Sequence, residues 1–266
     1  MKAFLSIIKI RFNLLLQYRV AAIAGIFTQF FFGMVFVMVL YGFYDSTSSP
    51  MPINYFSAVT YIWISQGMLG MLPWNGDREI QSLIRTGDVT YELIRPMNLY
   101  NYWLARAFAL RTAPTLLRSI PLFTVALLLP KDYGMSFPPN ILAFLAWIVT
   151  SFGALLISCT ITNIINITTL YSISGDGIQR LLSAIVTLFS GMVVPLPLFP
   201  DKMKEVLNYL PFSGLVDIPA RFFTGDLPFN HLITYSGFQL LWALILYLLG
   251  KGILSRKIKD LIVQGG

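Results

Sequence analysis

The sequence predicts an all-α integral membrane protein with six transmembrane helices. Of its 266 residues, 56% are hydrophobic and only 12% are charged, whereas soluble domains carry about 25% charged residues. Uncharged segments long enough to cross a hydrocarbon core of about 30 Å recur along the chain. Short charged or proline-rich segments separate them. The single cysteine, Cys159, excludes a disulfide bond within the chain.

Each predicted span is an apolar segment bounded by polar, charged or proline residues. The six spans cover residues 20–44, 55–74, 103–129, 141–164, 181–195 and 229–250 of a single transmembrane domain, 1–266. The third is predicted to be one long helix that contains Pro114 and Pro121. Arg118 is its deepest arginine, and its charge needs either the interface or an acid on a neighbouring helix.

Residues 1–19 predict a helix that precedes the first span. Its polar residues are spaced four, three, four and four apart and therefore share one helical face, namely Lys2, Ser6, Lys9, Asn13 and Gln17. A basic polar stripe on an otherwise apolar helix is typical of a helix lying in a membrane interface. The alternative is an extended cytoplasmic start to the first span. The apolar run that follows is too long for a signal peptide.

Residues 77–96 form the only densely charged run inside the apolar chain. Ile80, Leu83 and Ile84 recur at i, i+3 and i+4, which predicts a short amphipathic helix. Gly87 is predicted to cap its C-terminus, and Asp88 to cap a second short turn. The resulting hairpin is either a solvated loop or a docking surface for a soluble partner.

The longest segment on the opposite side, residues 196–228, is broken by five prolines. It contains two helical patterns, 202–210 and 213–223, which are too short to span a membrane and too apolar for a loop. They predict a re-entrant or interfacial helix pair before the last span.

The distribution of basic residues indicates the orientation. Fifteen of the 19 basic residues fall on the side that both termini share with the charged hairpin, and four fall on the other side. Under the positive-inside rule, both termini are cytoplasmic and the number of spans is even.

The residues of catalysis and of ion coupling are missing from the sequence. It contains no P-loop and no nucleophile elbow, and no acidic residue is placed deep in a span. The single histidine, His231, is better explained as an interfacial anchor than as a metal ligand. We therefore expect no enzyme activity, no bound cofactor or metal and no nucleic-acid partner, and an energy source outside the chain.

Two stretches carry a resemblance to a known family. The charged run contains Arg85 and a Gly87–Asp88 turn and ends in Arg95–Pro96. Residues 190–225 have spaced prolines, with Leu210–Pro211–Phe212 and Pro219–Ala220. In this order they resemble the type-2 ABC exporter permeases, specifically the small six-span subunits that work with a separate ATPase. The resemblance covers nearly the whole chain.

The resemblance implies a role for each segment. Residues 1–19 become an elbow helix on the inner leaflet, and residues 77–96 become the coupling region that docks on a dimer of ABC ATPase subunits, which hold ATP and Mg²⁺. The implied polar docking contacts are Arg78, Glu79, Arg85 and Asp88, with Ile80, Leu83 and Ile84 as apolar anchors. A second permease chain, identical or related, completes the pathway in the cell (inner or plasma) membrane.

The sequence leaves the cargo and its contacts open. Thr28 and Gln29 interrupt the first span and Asn163 and Asn166 the fourth, and they are candidate pathway residues; hydrogen bonding between helices explains such residues equally well. Rival classes are an ATP-independent channel or pore subunit, a membrane-embedded enzyme and a non-transporting assembly subunit.

Overall fold

The protein is described from a computed structural model that covers residues 2–47, 50–171 and 176–259. These residues form only helices and connecting segments, which confirms the predicted all-α class. The α-helices in chain order are α1 (Lys2–Leu15), α2 (Arg19–Ser46), α3 (Tyr55–Met68), α4 (Arg78–Thr86), α5 (Thr90–Leu93), α6 (Leu99–Leu128), α7 (Ile141–Thr168), α8 (Asp176–Phe189), α9 (Asp201–Tyr209), α10 (Asp217–Thr224) and α11 (Leu232–Lys259).

Three helical segments in the described part of the chain are long and apolar enough to cross a membrane. They are Arg19–Ser46, Ile141–Thr168 and Phe229–Ile258, and they make the chain a membrane protein. α6 has 30 residues but carries three arginines, and α3 and α8 have 14 residues each. The six-span arrangement therefore stays a prediction.

The second predicted span, residues 55–74, is not one continuous α-helix. α3 ends at Met68 and a 3₁₀ turn, Leu69–Met71, follows it. Leu72 is extended, with ψ 142°, because the following residue, Pro73, disfavours the helical conformation before it. The fifth predicted span also differs, since α8 begins and ends several residues earlier than 181–195.

α7 is the centre of the fold. It packs against α11, α6 and α10, and its C-terminal half is buried almost throughout. A buried amide joins α11 to α7 and to the segment before α10. Gln239 Nε2 on α11 donates to Thr150 O at 2.9 Å and to Gly214 O at 2.8 Å. The charged hairpin packs against the helices that surround α7.

The N-terminal segment is helical, as predicted, and lies along α6. The rings of Phe4 and Phe108 meet edge to face, with centroids 6.2 Å apart. A turn over residues 16–18 separates α1 from α2. Its position at a membrane interface stays a prediction.

The segment 196–228 contains two helices, α9 and α10. α9 lies within a residue of the predicted 202–210, whereas α10 begins four residues later than the predicted 213–223, because a 3₁₀ turn, Pro211–Gly214, occupies the start of that stretch. α10 packs on α7 and α3. Its first residue, Asp217, is buried and accepts a hydrogen bond from Tyr61 at 3.0 Å. Whether the pair is re-entrant stays a prediction.

Arg118 pairs with no acid among the described residues. Its guanidinium lies against α2, where a Cβ added to Gly25 would be 2.6 Å from Arg118 Cζ. The Arg118 charge was predicted either to reach the membrane interface or to pair with an acid on a neighbouring helix. The second of these is not observed among the described residues.

Candidate functional site

The sequence of the charged hairpin defines both ends of α4. The Asp77 carboxylate caps the N-terminus, accepting from the backbone N–H groups of Glu79 at 3.0 Å and Ile80 at 3.4 Å. At the other end Gly87 adopts φ 83°, and its N–H bonds to Ile84 O. Glycine adopts this left-handed conformation without steric cost, so the predicted C-cap is confirmed.

The predicted role of Asp88 as a cap is wrong. Val89 precedes α5, and no side chain caps that helix. Asp88 instead turns back toward α4, where Thr86 Oγ1 donates to Asp88 Oδ2 at 2.6 Å. The Thr86 hydroxyl, two residues before Asp88, is a nearer donor to the Asp88 carboxylate than the backbone N–H groups of the next turn.

Arg106 of α6 is the main anchor of the hairpin. Its side chain is only 1% exposed. Its Nε lies 2.9 Å from Asp77 Oδ2 and its Nη2 lies 2.8 Å from Glu79 Oε2. The nearest oxygen of Glu92 is 3.8 Å from Nη1. The guanidinium is therefore satisfied by three carboxylates of the hairpin, which offsets the cost of burying its charge.

The same network reaches the N-terminal helix. Arg11 of α1 donates to both carboxylate oxygens of Glu79, at 2.5 and 2.9 Å. The hydrogen bond from Arg11, together with the charge of Arg106, lowers the pKa of Glu79. We call Arg11, Asp77, Glu79, Glu92 and Arg106 the charge cluster; it ties α1, the hairpin and α6 together.

Further bonds join the hairpin to α7 and α8. Asn166 Oδ1 accepts from the backbone N–H of Asp77 at 2.8 Å, and Gln179 Oε1 accepts from Gln81 Nε2 at 3.1 Å. The chain just before the hairpin is held by Arg111, whose buried guanidinium donates to Leu72 O at 2.8 Å and to Asn75 O. The hairpin is thus attached to four neighbouring helices.

The four candidate pathway residues have different surroundings. Asn163 Nδ2 donates to Tyr100 O at 3.1 Å, and Asn166 holds the hairpin, so both serve contacts between elements. Thr28 Oγ1 donates within α2 to Ala24 O at 3.0 Å. Gln29 is buried, and neither polar atom of its side chain has a hydrogen-bond partner in the described residues. Their role in a pathway stays a prediction.

The apolar stripe of α4 faces the rest of the protein. Ile80 is completely buried in a cluster with Trp103, Ile167 and Leu254, and Leu83 and Ile84 are half-buried. Ile80 and Ile84 therefore pack the hairpin against the rest of the protein, and Leu83 is only partly covered. Ile80 offers no surface to a partner.

The outward surface of the hairpin combines charged and apolar side chains. Arg78, Arg85 and Asp88 are exposed, and on and beside α5 the side chains of Tyr91 and Ile94 are 70% and 82% exposed. We call these five residues, Arg78, Arg85, Asp88, Tyr91 and Ile94, the outward face.

Two parts of this site, the apolar part of the outward face and the buried anchor, were not predicted from the sequence. The spacing of Tyr91 and Ile94, three residues apart, was the available signal for the apolar part of the outward face. For the buried anchor the signal was Arg106, an arginine within an otherwise apolar helix that follows an acidic segment in the chain.

The fold and the site define a helical membrane protein in which a charged hairpin is attached to its transmembrane helices. Residues 54–265 match the family described as ABC-2 family transporter protein. The match covers well over half of the chain, and the chain belongs to this family. It is a membrane permease, a transport subunit that is not itself catalytic, and its family implies partnership with an ABC ATPase. Comparison with the curated proteins finds no match.

Proposed function

We propose that this chain is the permease subunit of an ATP-driven exporter and that the hairpin is its coupling region. The observation that carries the proposal is the charge cluster. It attaches the outward face to α6 and α1 through a buried arginine with three carboxylate neighbours. A solvated loop needs no such attachment, whereas a segment that transmits force does.

The composition of the outward face supports docking on a soluble protein. Tyr91 and Ile94 are large apolar side chains in an otherwise charged surface. Aromatic and aliphatic anchors surrounded by a polar rim are typical of protein interfaces. The polar contacts expected with the ATPase are those of Arg78, Arg85 and Asp88; Glu79 is expected to act through Arg11 and Arg106.

The coupling mechanism follows from the attachment of the hairpin. α6 has 30 residues and is about 45 Å long at 1.5 Å per residue, so a helix of this length can reach across a bilayer. Binding of ATP and Mg²⁺ by the partner ATPase dimer would move its docking groove and the hairpin with it. α6 and α1 would then move as one body, because the charge cluster joins them to the hairpin.

The proposed assembly contains two permease chains, identical or related, around a central pathway in the cell membrane. Six spans with both termini in the cytoplasm agree with the location of 15 of the 19 basic residues and with the three long apolar helices. The outer segment containing α9 and α10 would contribute to the exit. Export is the direction that the resemblance implies.

Site-specific crosslinking tests the docking surface. The only cysteine, Cys159, is buried, so a single new cysteine can be placed in the native background. With Ile94→Cys, a short bifunctional crosslinker in native membranes should give an adduct with a P-loop ATPase. Phe137→Cys, at a residue 77% exposed in the loop before α7, is the matched control and should give none. Equal yields at both positions would refute the docking surface, and ion conductance by the chain without ATP would favour the channel alternative.

A further inference from the structure

A cavity between α3, α6 and α7 lies outside the charge cluster, although Arg111, which holds the chain before the hairpin, is among its lining residues. Its volume is about 300 Å³, at the lower end of the range of about 300–1,000 Å³ for small-molecule pockets. Its walls are largely apolar and include Met68, Phe123 and Leu155. We call it the α3–α6–α7 groove. Apolar walls favour a hydrocarbon ligand over a polar solute.

The groove opens sideways. Leu116 on α6 and Ile148 and Phe152 on α7 line it and are exposed. α7 is one of the three helices long and apolar enough to cross a membrane, so side chains exposed along its middle face lipid. A molecule dissolved in the bilayer can therefore enter the groove without passing through water.

The groove is elongated along α7. Trp147 and Leu155 both line it, and eight residues of helix correspond to about 12 Å. At one end the rings of Phe123 and Trp147 meet edge to face, with centroids 6.3 Å apart. A Cβ at Gly67 would collide with the Phe123 ring, so glycine at this position lets the ring pack against α3. A long, narrow cavity of this kind fits an acyl chain better than a compact ring system.

Two polar groups at this end of the groove have no partner. Trp147 Nε1 and Ser151 Oγ lie one turn apart on α7, and in the described residues neither has a hydrogen-bond partner, although both are covered. Buried donors are normally paired, and the desolvation of these two is not offset by the protein. An acceptor atom on a ligand in the groove would offset it once the two side chains turn toward the groove, to which neither atom is exposed here.

We propose that the α3–α6–α7 groove binds one acyl chain of a lipid-like molecule. On binding, the Trp147 and Ser151 side chains turn toward the groove, and Trp147 Nε1 and Ser151 Oγ donate hydrogen bonds to the carbonyl of its ester or amide. The chemistry suits either a resident bilayer lipid or a lipid-like cargo. The proposal concerns this chain alone, so it stands or fails independently of the coupling through the hairpin.

Photolabelling of the chain in lipid vesicles tests the site. The probe is a phosphatidylcholine with a diazirine midway along one acyl chain. Met68 and Leu155 are buried and are out of reach of bulk lipid, so labelling of these two residues, mapped by mass spectrometry, is the expected result. Ser151→Leu fills the groove and should abolish this labelling. Thr124→Leu, the same replacement at an exposed residue of α6, should preserve it.

A conservative variant separates the hydrogen bond from the packing. Trp147→Phe keeps an aromatic ring but removes the donor, and labelling of Met68 and Leu155 should fall about two- to tenfold, as expected for one hydrogen bond. Adding the ATPase with ATP distinguishes the two sources: a decrease in labelling during turnover identifies cargo, and unchanged labelling identifies a resident lipid. Absence of label from Met68 and Leu155 in the native chain, or undiminished label in Ser151→Leu, would overturn the proposal.

Discussion

Two buried arginines of α6 are accommodated in different ways. Arg106 faces three carboxylates of the hairpin, whereas Arg111 donates to neutral acceptors such as Leu72 O and Thr162 Oγ1. A guanidinium with several acceptors in fixed directions orients the groups around it. Arg106 therefore positions the hairpin, and Arg111 positions the chain that leads into it.

Arg106→Met should destabilise the protein strongly. Removal of the Arg106 guanidinium leaves the Asp77 and Glu92 carboxylates without a cationic partner among the described residues, whereas Glu79 keeps Arg11. Loss of one partner from a buried ionic network costs about 3–5 kcal/mol. Thermal unfolding in detergent should show the loss as a lowered transition temperature. Arg78→Ala, at an exposed residue of the same hairpin, should change the free energy of unfolding by no more than about 0.5 kcal/mol. Equal effects of the two variants would show that the buried network does not hold the hairpin.

The contact between α1 and the hairpin should depend on pH. Arg11 lowers the pKa of Glu79 below its ordinary value of 4.5. A carboxylate with a lowered folded-state pKa contributes stability that is present above the ordinary pKa and is lost as the pH falls through the folded-state value. The protection of the α1 amides against hydrogen exchange, relative to the intrinsic exchange rate at each pH, should therefore be high at neutral pH and fall below about pH 4.5. In Glu79→Gln this pH dependence should be weaker; an unchanged profile would contradict the assignment.

Charged residues are easier to recognise in the sequence than their partners are. Glu79 was predicted to contact a soluble protein, but in the structure it binds Arg11 and Arg106. Arg11 and Glu79 are 68 residues apart in the chain, and no local pattern predicts a pair at that separation. Asn166 was likewise visible as a polar interruption of a span, but its bond to Asp77 N depends on the packing of α7 beside the hairpin.

At the level of elements, the prediction from local chemistry agrees with the structure at Gly87 and fails at Asp88. The helix ends predicted from hydropathy are less accurate. Asp77 and Gly87 bound α4 through interactions within a few residues, so the sequence contains the necessary information. The end of α3 at Met68 lies inside an apolar stretch, and its hydropathy does not change there. Pro73 was the better signal, because it acts on the backbone that precedes it.

Gly87→Ala should weaken the end of α4. The glycine has φ 83° and no atom within 4 Å of an added Cβ, so the cost is that of the backbone conformation alone, about 1–2 kcal/mol. Gly252→Ala on α11 is the matched control, because its added Cβ also meets no atom within 4 Å and its φ is not positive. That variant should be neutral or slightly stabilising. Chemical denaturation of both variants measures the difference; equal stabilities would exclude a role for the left-handed cap.

At the level of the whole molecule, hydrogen bonds and ion pairs join the charged hairpin to the helices around it. The family assignment over residues 54–265 makes the chain a transporter permease. The structure adds the connection from the outward face through Arg106 to α6. Composition was sufficient to predict the membrane class, since only 12% of the residues are charged. Composition could not distinguish the side chains that pack the hairpin against the protein from those that stay exposed. That distinction depends on the packing of α4 against α6 and α7.

The central claim is that the outward face docks an ABC ATPase, and purification of the tagged chain from its native membrane in mild detergent tests it most directly. The native chain and Phe137→Asp should each retain a P-loop ATPase identified by mass spectrometry. Ile94→Asp should lose it, because a carboxylate replaces an apolar anchor that is 82% exposed. Retention of the ATPase by Ile94→Asp at the native level, or its absence from the native chain, would contradict the account.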